Sequence, residues 1–150
     1  MPQLRERDQK IVDDALAILA YVHQPGEEIS SPQVTQKYLR LRLADCKNEV
    51  FGGIFLSNRH NIIATEELFF GTISGASVYP RVLVQRALEH NASALILYHN
   101  HPSGVAEPSR ADEQITKRIV DALALIDVRI LDHVVVGSGG CTSFAERGLI

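Results

Sequence analysis

The sequence contains no tryptophan, one methionine and two cysteines among its 150 residues. Cys46 and Cys141 form no C-x-x-C pair, which excludes a zinc ribbon and a dithiol redox motif. Ten glycines and six prolines exclude collagen-like repetition, and a hydrophobic share of 45% excludes low-complexity disorder. No run of about 18 apolar residues occurs, so no membrane span is predicted. Residues 1–10 are charged throughout and lack the apolar stretch of a secretory signal. Without such a signal, two reduced cysteines predict a cytoplasmic chain. An excess of one charge is also missing. Fifteen Lys and Arg stand against 18 Asp and Glu, for a net charge of −3. A stand-alone nucleic-acid binder shows a basic excess or stripe, so the charge pattern supports no nucleic-acid partner. Arg40, Arg42 and Lys47 cluster, but Asp45 and Glu49 interrupt them, and the group reads as a solvated helix face.

What is present suffices for one domain. A chain of this length buries about 68–70% of its unfolded surface and needs no disulfide or metal merely to fold. Ile11, Ala15, Ile18, Leu19 and Val22 recur at helical spacing, predicting a helix over about 6–23. Ser31 followed by Pro32 is an N-cap with proline at the first helical position, opening a second helix to about Asp45. The period then changes. Glu49 to Leu56 and Ile62 to Phe70 read as strands joined by turn residues 58–61, a hairpin. A loop over 71–78 leads to a helix opened by Pro80. Ser93 to His99 is a continuous apolar strand, hence central. Residues 109–126 form a long helix, Val128 to Val136 a strand, and 142–144 a short last strand. The predicted fold class is α/β (mixed α+β): one mixed β-sheet flanked by helices.

The chemistry gathers after the apolar strand. His99 and His101 lie at i and i+2, so strand geometry points both imidazoles to one side. Asp112 falls in the first turn of the next helix, and both ends meet outside the carboxyl ends of the strands, where open α/β sheets place their sites. Two histidines and an aspartate give three protein ligands and leave a tetrahedral zinc one open position. The plainer reading of Ser109 and Asp112 is a capping box, Ser-x-x-Asp, and the two readings are compatible. His99-Asn100-His101 is not the HNH nuclease motif, whose residues are dispersed over a ββα unit. Zinc deaminase chemistry needs H-x-E and C-x-x-C, both missing here. His133 reads either as a second-layer partner of a ligand imidazole or as a buried structural histidine. His23, His60 and His90 fall at element ends and are expected to be exposed. Cys46 and Cys141 read as core residues. Arg81 reads as substrate-binding or as a plain first-turn charge.

The pattern H-x-H-x7-S-x2-D resembles the metal signature of the JAMM/MPN+ metallopeptidases. The longer stretches FFGTISGASVYPRVLVQRALEHNASALILYHNHPSGVAEPSRAD and LDHVVVG resemble its RadC-like JAB-domain (UPF0758) branch. The branch has Asn between the histidines, as Asn100 here; the peptidases have Ser or Thr. The resemblance runs from about Pro32 to Ile150. It implies a JAMM/MPN-like, cytidine-deaminase-like architecture, in a short form without the family's N-terminal helix-hairpin-helix domain. The chain then divides into a helical extension, 1–30, and a JAB/MPN domain, 31–150. The implied activity is zinc-dependent hydrolysis of a peptide or isopeptide bond, with one Zn²⁺ per chain on His99, His101 and Asp112. Glu49, opening EVFGGIFL, best matches the family's general base, with Glu66 and Glu67 as competitors; Ser109 would stabilise the oxyanion. The implied partner is a peptide or protein substrate, with no membrane partner. An alternative class is a non-catalytic interaction module linked to DNA repair or mobile elements. Two-metal phosphodiester hydrolysis finds ligands for only one ion.

Overall fold

A computed structural model describes residues 4–29, 31–72 and 76–150. The part of the expected 71–78 loop at 73–75 therefore lies outside the described residues; 71–72 and 76–78 carry no regular structure. The order is α1 (Glu6–Val22), α2 (Pro32–Leu43), β1 (Val50–Leu56), β2 (Ile62–Phe70), α3 (Pro80–Glu89), β3 (Ala94–Asn100), α4 (Arg110–Ala124), β4 (Arg129–Val136) and β5 (Cys141–Ser143). The expected elements all form. Ser31 caps α2 through the Val34 N–H, with Pro32 in its first turn.

The strands make one sheet in the order β2-β1-β3-β4-β5. Only β3 and β4 are parallel, joined by α4 in a crossover; the other neighbours are antiparallel. All seven residues of β3 are buried, as a central strand covered on both faces requires. Alternation divides its side chains between two cores. Ile96 and Tyr98 pack with Ile54, Leu56, Val134 and α2 residues Tyr38, Leu39 and Leu43. Leu95 and Leu97 pack with Phe51, Phe55 and the α3 and α4 residues Leu83, Ala87, Ile119 and Leu123. α1 lies against α2 through partly buried Leu16 and Leu19 and has no buried residue of its own.

Of the two glycines in β1, Gly52 has the less room. A Cβ there would stand 2.4 Å from the Glu66 carbonyl oxygen and 2.5 Å from the Tyr98 ring. The obstacle on one side is backbone, so neither neighbour can yield cheaply. Gly52→Ala is expected to cost about 3 kcal/mol, the upper end of overpacking effects. In a chain of this size that lowers the melting temperature by about 6–12 °C. Thermal unfolding checks it; a shift under a degree would show that the sheet relaxes freely.

Two expectations from the sequence are corrected. His23 is not exposed: it is 6% accessible, stacks on Tyr38 at 4.7 Å and meets Thr35 Oγ1 at 3.1 Å. His90 and His60 are partly buried, and His90 Nε2 contacts Glu66 at 2.8 Å. Arg42 is not a solvated charge. Its guanidinium grips Glu67 through two bonds, 2.6 and 2.7 Å, and also reaches the Tyr38 hydroxyl. For His23, His90 and Arg42 a long-range neighbour, invisible to local periodicity, supplies the cover.

Candidate metal centre

The end of β3 and the start of α4 build the site. His99 Nε2 and His101 Nε2 stand 3.0 Å apart, and Asp112 Oδ2 is 3.3 Å from the first and 3.0 Å from the second. One ligand atom from each of these residues falls within 4.8 Å of the others, a group that could hold a metal ion. His99 is fully buried; His101 and Asp112 are partly exposed at the mouth.

Hydrogen bonds decide which nitrogens are available. His101 Nδ1 faces the Val105 carbonyl at 2.9 Å. A carbonyl only accepts, so Nδ1 carries a proton and Nε2 presents its lone pair. Gly104, at φ +92°, makes the turn that allows this, and its N–H donates to the His101 carbonyl at 2.9 Å. His99 is fixed by a longer chain. Thr116 Oγ1 donates to the Asp112 carbonyl at 2.7 Å, and so accepts from His133 Nδ1 at 2.6 Å. His133 Nε2 is then an acceptor and takes the His99 Nδ1 proton at 2.7 Å. His99 Nε2 is left as a lone pair aimed at the cluster. His133 is wholly buried among Phe51, Phe144 and His99. Burial holds its pKa well below the ordinary value, so it stays a neutral relay.

Three lone pairs at these separations repel unless positive charge stands among them. The electrostatics express that demand. A proton at Nε2 meets it in part: burial alone would raise the Asp112 carboxyl, but hydrogen bonds then donated by His101 and His99, with that of the Ser109 N–H, hold it well below the carboxylate range. The Asp112 hydrogen bond raises His101 against the effect of burial. A divalent cation answers the same demand more fully than a proton, and two neutral imidazoles with a carboxylate are a donor set suited to zinc.

Both readings of Ser109 hold together. Its Oγ accepts the Asp112 N–H at 3.0 Å while Asp112 Oδ2 accepts the Ser109 N–H at 2.9 Å, a complete capping box on α4. The cap fixes the rotamer of the carboxylate that joins the cluster. Glu49 is half-buried just before β1. It lies two residues before Phe51, which pairs with His99 and stacks on its ring at 5.7 Å. Burial pushes the Glu49 carboxyl up, with Asp112 adding and the two histidines opposing. Glu66 is bound by Arg86 and His90, and Glu67 by Arg42, on opposite faces of β2. Cys46 and Cys141 pack against a core cluster, and burial pushes the Cys141 thiol up to about 11, so neither is an activated nucleophile.

Sequence reading passed over Thr116 and the Val105 carbonyl. Thr116 was signalled weakly by its place one helical turn after Asp112. Val105 offers only a carbonyl, for which side-chain patterns hold no signal. The relay makes a prediction. His133→Phe fills nearly the same space but leaves the His99 Nδ1 proton without an acceptor. Zinc affinity should fall by about 10–100-fold, the usual cost of losing such a partner. Competition against a chromophoric chelator measures it; unchanged affinity would reduce His133 to a packing residue.

Fold and cluster together define a mixed α/β protein with a His-His-Asp group, able to hold a metal ion, at the end of its central strand. The chain belongs to the RadC-like JAB domain family, whose model matches residues 29–149. It is similar to a UPF0758 protein of Nitrosococcus oceani, 62% identical over 125 residues that cover 83% of this chain and 56% of that protein. It is 64% identical to a UPF0758 protein of Thioalkalivibrio sulfidiphilus, with the same coverage of 83% and 56%. A UPF0758 protein of Aeromonas hydrophila is 56% identical over 140 residues, 93% of this chain and 62% of its own length. The chain thus spans 56% to 62% of the length of these curated relatives. No helix among the described residues is long and apolar enough to cross a membrane.

Proposed function

We propose that this chain is a zinc-dependent hydrolase that cleaves a peptide or isopeptide bond with water. The observation that carries the reading is the convergence of three lone pairs, from His99, His101 and Asp112, beside a carboxyl raised by burial. These three residues would hold the ion, and Glu49 and Ser109 would do the proton chemistry. Bound zinc supplies a Lewis acid that lowers the pKa of water toward about 7. Glu49 accepts the proton of the attacking water and returns it to the leaving amine; its raised pKa brings it closer to the operating pH, where such transfer is most efficient. Ser109 uses a lone pair to cap α4 and keeps its hydroxyl proton to donate to the developing oxyanion. His133 and Thr116 keep the His99 imidazole in one tautomer throughout.

A cavity of about 700 Å³ walled by Ile18, Leu19, Leu41 and Val136 touches His101 but opens on the α1 and α2 side with Asn100 and includes none of His99, Ser109, Asp112 and Glu49, so it is not the reaction site. The test is hydrolysis of a mixed-sequence peptide and isopeptide library by the zinc-replete protein. Cleavage should stop on chelation and return with zinc. A zinc-replete, folded protein that cleaves nothing in such a library would overturn the peptidase reading.

A further inference from the structure

Asn100 stands between two ligand histidines but points away from them. Alternation along β3 turns its side chain to the other face of the sheet, where it is 4% exposed. The β1–β3 ladder ends one residue earlier, at the Phe51–His99 pair. Beyond that point the Asn100 amide takes the place of backbone. Its Oδ1 accepts the Val50 N–H at 2.7 Å, and its Nδ2 donates to the Asn48 carbonyl at 3.1 Å. One side chain thus supplies both an acceptor and a donor, as a further rung of the ladder would. The two residues it grips flank Glu49. On the β2 side the Glu49 N–H donates to the Thr72 carbonyl at 2.9 Å, and the Gly71 N–H donates to the Glu49 carbonyl at 2.8 Å. Glu49 is therefore held from both sides, and among the described residues the bonds on the β3 side come from Asn100. Continued by two residues, the Phe51–His99 register sets Glu49 opposite His101 and on its face.

We propose that Asn100 is a positioning residue: its amide clamps residues 48–50 and so fixes Glu49 against the metal cluster. The inference rests on the reading of Glu49 as the general base. The bland alternative is a buried amide that merely satisfies two backbone groups. The two differ in what the amide's loss does to Glu49. Asn100→Ala removes both bonds. Asn100→Asp keeps the acceptor for Val50 N–H and loses the donor for the Asn48 carbonyl.

Two measurements test the proposal. The first is amide hydrogen exchange on the metal-free full chain, which needs no substrate. Asn100→Ala should speed exchange at Val50 and Glu49 by about 10-fold or more, while Leu95 and Leu97 in β3 stay protected. Asn100→Asp should restore Val50. Unchanged exchange at Glu49 and Val50 in Asn100→Ala overturns the clamp. The second is kinetic, on any peptide that the zinc-replete protein cleaves. Asn100→Ala should lower kcat by about 10²-fold with KM and zinc content little changed, the cost of misplacing a reacting group by about 1 Å. In a Glu49→Gln background the same change should cost almost nothing, because the two act in series. Additive losses would overturn the positioning role. Full activity of Glu49→Gln itself would instead remove the base assignment, leaving the exchange result to judge the clamp.

Discussion

Glu49→Gln is expected to lower the rate of amide hydrolysis by about 10²–10⁴, the usual contribution of a positioned acid–base group. The substitution preserves shape and hydrogen-bonding size but leaves no oxygen that can take up a proton. The three residues proposed to hold the ion are untouched, so zinc content and melting temperature should match the parent. Glu66→Gln and Glu67→Gln serve as internal controls. Each weakens a partly buried ion pair, with Arg86 or Arg42, and costs on the order of 1 kcal/mol of stability. Neither should change the rate. A large loss in either control, with Glu49→Gln fully active, would transfer the base role to β2. Equal activity in all three would mean that no carboxylate of this group handles the proton.

The second large effect is on the metal itself. Protein prepared without chelator is expected to carry about one zinc per chain, in line with three protein ligands and one open position. His99→Ala combined with His101→Ala should reduce this to background. His99 is fully buried and partnered by His133, so the double variant also loses stability; His101→Ala, at the half-open mouth, separates ligand loss from fold loss. Chelation of the parent should leave secondary structure intact, since two cores on the faces of the sheet owe nothing to the ion. It should lower the melting temperature modestly. An ion at 100 times its Kd stabilises by about 2.7 kcal/mol, equivalent to about 5–10 °C here. Elemental analysis and circular dichroism follow the two quantities. Unchanged zinc in the double variant would refute the ligand set; collapse of secondary structure on chelation would make the ion a structural one.

Residue spacing made a large part of this molecule legible, and the reasons are local. β3 announced itself because a strand covered on both faces has no polar alternation to confuse. α2 and α4 announced themselves through Ser31-Pro32 and the Ser109–Asp112 box, whose chemistry is complete within a single turn. The convergence of His99, His101 and Asp112 followed from period two in a strand and the first turn of a helix. What escaped was everything decided by a neighbour distant in sequence. His23 looked like a polar helix end until Tyr38 of α2 covered it. Arg42 looked solvated until β2 brought Glu67 to its fork. His133 admitted two readings because only the docking of α4 shows that Thr116 completes its bonds. The grip of Asn100 on residues 48–50 depends on the register of two strands, which no spacing rule reports.

One face of α4 carries a further consequence. Asp112, Thr116, Ile119 and Leu123 lie along it, and the last three are buried against the sheet. Asp112, proposed to hold the ion, and the first link of the His99 tautomer lock therefore sit on the same stripe as the helix's apolar anchors. A slip of α4 by one residue, a rise of about 1.5 Å, would carry carboxylate and lock away together. The centre is in this sense a gauge of helix seating. Trimming Ile119 or Leu123, far from any ligand, would be felt in ion affinity through the tilt of a shared rigid rod.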